Sequence, residues 1–132
     1  MGQPAATQGS QIMAMDTHIV LIPSPGGPIP TALPSPFSGQ ITADTVATVK
    51  IMGKPAAVVG STADNMPPHI PVGGPFQTPP QNKATIQTGS GTVKIGGKPA
   101  ARAGDQATTC DDIAPTAPKG TVIAAGTVLI GG

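Results

Sequence analysis

The chain repeats itself, and its own two ends interrupt the repeat. Residues 48–57 read TVKIMGKPAA and residues 92–101 read TVKIGGKPAA, identical at nine of ten positions. A third copy is divided. Thr127, Val128, Leu129, Ile130, Gly131 and Gly132 match the start of the unit at five of six positions, and Gly2, Gln3, Pro4, Ala5 and Ala6 supply its continuation. A unit whose first half closes the chain and whose second half opens it requires the termini to meet. The expectation is therefore three equivalent units about one axis, formed by residues 1–132 as a single domain.

Each unit carries local instructions. Thr-Val-x-Ile alternates β-branched residues with the period of two expected of a strand buried on one face. The following Gly-x-Pro ends that strand, because Gly tolerates positive φ while Pro fixes φ and removes a ladder donor. The Ala-Ala pair then allows close approach of two backbones. A second Gly stands seven residues after the first in every copy, at Gly9, Gly60 and Gly104. Beyond it the units diverge into Pro-rich loops. Gly26-Gly27-Pro28-x-x-Thr31 and Gly73-Gly74-Pro75-x-x-Thr78 echo one another, and a shorter third loop surrounds Pro115 and Pro118. Proline pre-sets the backbone of such loops and lowers their entropy loss on folding. Residues 103–112 offer at most one helical turn, so the predicted class is all-β.

With 18 glycines and 17 prolines in 132 residues, the chain has a composition often seen in disorder, but only 10% of it is charged and the net charge is +1. Disordered chains stay solvated through high net charge, which is missing here. The chain is read as folded, with support beyond a large apolar core.

The same composition removes several functions. Seven Lys+Arg against six Asp+Glu form no basic footprint for nucleic acid. Two phenylalanines, without Trp or Tyr, give no stacking platform for bases or sugars. The longest aliphatic run, residues 19–22, is far short of a membrane span. The N-terminal residues lack the charged and apolar regions of a signal peptide, and Ala6 breaks the myristoylation pattern. A lone Cys110 excludes an internal disulfide, so a covalent-like staple would have to be a metal.

The two histidines and the cysteine point to such a staple. His18 lies 16 residues after Gly2, His69 lies 16 after Gly53, and Cys110 lies 13 after Gly97 in the unit with the shorter loop. Symmetric units bring comparable positions together about the axis. Imidazole and thiolate are ligands that zinc prefers, which favours zinc over iron. His18, His69 and Cys110 are the candidate metal ligands; Asp111, Asp112, Asp16 or water remain open as the fourth.

Cys110 with either histidine can also be written as a nucleophile and base. Nothing supplies an orienting acid, a substrate pocket or an aromatic wall, and Gly89-x-Gly91 lacks the rest of a phosphate-binding loop. No enzyme is expected. Lys54, Lys98 and Arg102 read as a solvated rim.

Gly97-Lys98-Pro99-Ala100-Ala101-Arg102-Ala103-Gly104-Asp105 resembles the PAAR-repeat family, named for the Pro-Ala-Ala-Arg at Pro99 to Arg102. Degenerate copies stand at Pro55-Ala56-Ala57-Val58 and Pro4-Ala5-Ala6-Thr7, so the resemblance spans nearly the whole chain. It implies a small β-rich cone that caps and sharpens a trimeric β-helical spike in type VI secretion systems, phage-like tails or extracellular injection particles. It further implies a structural zinc and transient contact with a target membrane. The protein would be made in the bacterial cytoplasm before joining an extracellular particle. A pseudo-symmetric monomer suits a true trimer, each unit facing one spike chain. The family's site uses three histidines and one cysteine, whereas this chain has two histidines and carries Ser35 where some relatives carry a loop histidine. The chain ends with its closing strand, which fits a stand-alone tip.

Attachment to the spike is expected through Val49, Ile51, Val93, Ile95, Val128 and Ile130, of which alternation lets only one set face the partner. The alternative role is an adaptor that docks effector cargo, with the loops around Phe37 and Phe76 as the cargo site.

Overall fold

The computed structural model describes residues 2–110 and 119–131, and among these every regular element is a strand. Three small two-stranded ladders occupy one end. They are β1 (Gln3–Pro4) with β12 (Leu129–Ile130), β4 (Val46–Ile51) with β5 (Lys54–Ala56), and β8 (Lys94–Ile95) with β9 (Lys98–Pro99). The other six strands close into a barrel in the order β10 (Gln106–Thr108), β11 (Gly120–Ile123), β2 (Gln11–Ile22), β3 (Ile29–Ala43), β6 (Thr62–Asn65) and β7 (Lys83–Ile86). Each unit contributes one barrel hairpin.

The termini meet as the divided repeat requires. Gln3 pairs with Ile130 and Pro4 with Leu129. The same register joins Lys54 to Ile51 and Pro55 to Lys50, and again Lys98 to Ile95 and Pro99 to Lys94. Two of the ladders are tight hairpins; the third is the same hairpin made from the two ends of the chain.

Beneath the ladders the three units interlock. The Ala6 amide donates to the Ala101 carbonyl at 2.9 Å, Ala101 to Ala57 at 3.0 Å, and Ala57 to Ala6 at 3.0 Å, completing a ring about the axis. All three alanines are buried, and a larger side chain would hold the backbones apart. The next turn repeats as faithfully. Gly9, Gly60 and Gly104 adopt φ values of +98°, +98° and +91°, and each donates its amide at 2.9 Å to Ile41, Ile86 and Val122 respectively. That left-handed backbone disfavours any residue with a Cβ, which explains the invariant spacing of the second Gly. Ser10, Ser61 and Asp105 close these turns by accepting from the amides of Thr7, Val58 and Arg102.

Two apolar layers follow. Ile51, Ile95 and Ile130 pack with Ala5, Ala56, Ala100 and Val58 under the ladders. Ile12, Phe37, Ile41, Ile86 and Val122 fill the barrel together with Cys110 and the small residues around it. Val and Ile stand two residues apart in each ladder strand, so alternation does not separate them, and burial instead grades along the strand. The isoleucines are buried, while Val49 and Val128 are 37% and 39% exposed and Val93 is half-buried. Ile51, Ile95 and Ile130 are therefore removed from the candidate docking residues. Phe37 is likewise removed from the cargo surface, since it is buried in the barrel core.

The largest departure from the sequence expectation is the hairpin β2–β3, whose second strand runs through a Pro-rich segment read as loop. Pro30, Pro34 and Pro36 pair with Leu21, Thr17 and Met15. The Leu21 amide turns away from β3 to bond Pro75, so these positions face each other without exchanging hydrogen bonds. The missing proline N–H groups then lie along the outer edge of β3, where no ladder needs them. A second correction is the possible helical turn in residues 103–112, where Gln106–Thr108 is strand. Pro115 and Pro118, named for the third loop, lie outside the described residues.

Candidate metal centre

The hairpin β2–β3 carries the first donors. Along β2 the buried positions are Ile12, Asp16, His18 and Val20, one inward face of a strand with period two. Asp16 and His18 are neighbours on that face and both are fully buried. At about 3.3 Å per residue, His18 stands some 20 Å along the strand from Gln11, at the far end from the ladders.

His69 arrives from the segment joining β6 to β7. Two asparagines tie this segment at its neck. Asn65 Nδ2 donates to Asn82 Oδ1 at 3.1 Å, and the same oxygen accepts from the His69 amide at 2.8 Å. Farther on, the Leu21 amide donates to Pro75 and the Gln77 amide donates to Ile19, stitching the segment to the outer edge of β2. Glycine permits that approach: a Cβ at Gly74 would lie 1.9 Å from the Leu21 carbonyl oxygen. Cys110 follows β10 by two residues and closes the cluster from the third unit.

Donor atoms of Asp16, His18, His69 and Cys110 all lie within 4.8 Å of one another. His69 Nε2 is 3.1 Å from Asp16 Oδ2, Cys110 Sγ donates to the same oxygen at 3.3 Å, and Sγ is 3.6 Å from His18 Nε2. Tetrahedral zinc with bonds of about 2.1 Å to N or O and 2.3 Å to S requires donor separations of about 3.4–3.6 Å. The Cys110–His18 spacing meets this range and the two contacts of Asp16 Oδ2 fall slightly short of it, while the cluster as a whole extends to 4.8 Å, so an ion would draw some donors inward and push others apart. The imidazoles of His18 and His69 lie 4.7 Å apart at their centroids, and Phe76 meets His18 edge-on at 5.5 Å. The side chains of His69 and Asp16 are 2% and 0% exposed.

Without a cation this arrangement opposes ionisation of the thiol. Burial, then the hydrogen bond and negative field of Asp16, push the Cys110 thiol up to about 12, against weaker opposite pulls from the backbone at Asn82 and Lys83. A divalent cation would reverse this balance and hold sulfur as thiolate. The donor chemistry therefore suits a metal better than a nucleophile, since a thiol pushed up is a poor one.

All three sequence-chosen residues converge. Of the alternatives left open for the fourth donor, Asp16 is in the cluster, while Asp111 and Asp112 lie outside the described residues. Strand periodicity held the signal for Asp16, because it stands two residues from His18 on one face. Thr109, whose hydroxyl bonds Asp16 Oδ1, carried no such signal. On the rim, Lys54 and Lys98 are exposed as expected, but Arg102 is half-buried, reaching Asp105 at 3.3 Å and the Gly131 carbonyl at 3.1 Å.

A family model described as the PAAR motif matches residues 21–114 and, in a second overlapping match, residues 76–132. The chain belongs to the PAAR-motif family. No curated protein matches it. Membership associates the chain with the spike of contractile injection systems, where PAAR proteins are structural components. Ser35 is the direct cross-strand partner of Asp16 and lies in β3 rather than in the loop expected for it. The two side chains share a face, so the Ser35 hydroxyl stands beside the carboxylate. Among the described residues no helix is long and apolar enough to cross a membrane.

Proposed function

We propose that this protein is a spike tip: a single domain, residues 1–132, that caps a trimeric β-helical spike and concentrates the force of a contracting sheath on a target envelope. The reading rests above all on the ring of Ala6, Ala57 and Ala101, which gives one polypeptide three equivalent corners. A cap with three like corners meets a true trimer one corner per chain. The ladder end supplies the seat, with Val49, Met52, Val128 and Leu129 as exposed apolar residues there and Val93 at the third corner. The metal end lies opposite and forms the point.

His18, His69 and Cys110 would hold a structural zinc there, one residue from each unit. When bound, it supplies a cross-link among three units, and in small metallo-domains such links are worth on the order of 10–16 kcal/mol. The chain's own residues do the rest. Phe76 and Phe37 shield the imidazoles, and the Asn65–Asn82 tie positions the segment that brings His69. A load-bearing tip fits this arrangement, and nothing in it requires turnover.

The test is co-purification with a trimeric spike. Val49→Asp with Val128→Asp should abolish capture while the melting temperature is retained; capture unaffected by both charges would overturn the seating proposed.

A second reading, cargo docking, draws on a different surface. An apolar groove of about 570 Å³ runs between β3 and the segment carrying His69, lined by Leu33, Met66, Ile70, Val72 and Phe76 among others. Ile70 and Val72 are 73% and 71% exposed. Loss of toxin, but not spike, from a pull-down with Ile70→Asp and Val72→Asp would favour the adaptor role; loss of neither would exclude this groove.

A further inference from the structure

We infer that Asp16 is the fourth ligand of the metal centre, binding through Oδ2 alone, with Thr109 as the residue that fixes it in that mode. The inference rests on the metal reading above and specifies the donor set that reading leaves open.

The two carboxylate oxygens of Asp16 have separate tasks. Oδ2 points into the cluster, 3.1 Å from His69 Nε2 and 3.3 Å from Cys110 Sγ. Oδ1 accepts the hydroxyl of Thr109, the residue next to Cys110 in the chain. A carboxylate with one oxygen engaged by a hydroxyl and the other facing three nitrogen and sulfur donors is prepared for monodentate binding. Partners of this outer kind orient a ligand and commonly alter metal affinity 10- to 100-fold. Because Thr109 and Cys110 are adjacent, one short backbone segment sets both the thiolate and the orientation of the carboxylate.

Charge supports the same assignment. A divalent ion held by two neutral imidazoles and one thiolate leaves one positive charge in a site whose side chains are nearly inaccessible to water. An isolated charge there is costly to bury. The carboxylate of Asp16 cancels it, so the filled site is neutral. In the metal-free protein the same carboxylate is fully buried, with hydrogen-bonding groups from Thr109, Cys110 and His69 around it. An uncharged side chain of similar shape would fill that space without the charge, so the acid itself is what a cation would select.

Cobalt(II) and cadmium-113 are suitable probes, added to the full chain stripped of metal. Wild-type protein should take up one ion per chain, with a sulfur-to-cobalt absorption band and visible bands of tetrahedral intensity. Asp16→Asn, which preserves shape and removes charge, should weaken cobalt binding about 100-fold and shift the cadmium resonance, while the sulfur band persists. Asp16→His, which replaces an oxygen donor by nitrogen, should recover much of the affinity but with a different cadmium shift. Thr109→Val should weaken binding about 10-fold and leave the donor set, and therefore the spectrum type, unchanged.

Wild-type protein that binds no ion would overturn the metal reading itself. Wild-type protein that binds one ion, with Asp16→Asn matching its affinity and cadmium shift, would overturn only the role of Asp16. Circular dichroism of the metal-free variants separates either result from unfolding. Should Asp16→Asn fail to fold, the cadmium shifts of wild type and Asp16→His decide the question, identical shifts counting against oxygen ligation.

Discussion

Gln3 and Ile130, at opposite ends of the chain, face each other in the register that Lys54 and Ile51 share within a hairpin. The closing ladder is thus chemically equivalent to two others that need no closure. Ile51, Ile95 and Ile130 are 8%, 9% and 6% exposed in one apolar layer. Truncating any of them to Ala should cost a similar amount, about 2–3 kcal/mol, by lost burial and a residual cavity. Chemical denaturation of the three single variants measures this. A near-neutral Ile130→Ala beside two costly partners would mean that the terminal ladder is not a full member of the fold.

Removal of a proposed metal ligand should register in two quantities at once. Cys110→Ala or His69→Ala is expected to lower metal content, read by elemental analysis as atoms per chain, and to lower the melting temperature by about 10 °C or more. That shift corresponds to a few kcal/mol in a domain of this size. Chelation of the wild-type protein should produce the same drop, and the chelator should have little further effect on the variants. Unchanged melting in both variants would argue against a structural site.

Metal uptake should depend on pH with a definite sign. The Cys110 thiol is pushed up to about 12 in the metal-free fold, so it carries its proton throughout the neutral range. Binding a cation as thiolate expels that proton, and affinity should rise about tenfold for each pH unit between roughly 7 and 9. In the metal-free protein the raised value acts differently. Its contribution to stability is intact below the ordinary thiol value of 9.0 and is lost as pH rises toward about 12. Competition titrations and denaturation curves across pH read the two effects separately. A flat affinity profile would exclude Cys110 as a thiolate ligand.

Gly74→Ala tests whether positioning alone supports the site. The added methyl would collide with the Leu21 carbonyl and push the segment bearing His69 and Phe76 off β2. A loss of about 1–3 kcal/mol is expected from such overpacking. Metal affinity should fall with it, although no donor atom changes. Retained affinity would mean that His69 is positioned by the Asn65–Asn82 tie without help from the glycine.

The repeat made the symmetry legible because covalent order and spatial order coincide within each unit. Gln11, Thr62 and Gln106 open their barrel strands nine residues after Gly2, Gly53 and Gly97, so matched offsets translate into matched places. The same logic brought His18, His69 and Cys110 together. It failed where one unit differs from the others. The hairpin β2–β3 is far longer than its counterparts, and its prolines mimic a loop unless their even spacing is taken as an edge pattern. Asp16 belongs to that unit alone, so no repeat announced it. Phe37 was misread for the same reason, since a residue in an assumed loop is assumed to be exposed.

Those edge prolines also bear on self-association. A long strand with a free margin is an open invitation for a second copy to zip alongside, and small, nearly uncharged proteins resist such stacking poorly. With Pro30, Pro34 and Pro36 denying that margin its donors, copies of this chain would tend to stay separate at concentrations where a bare edge would pair.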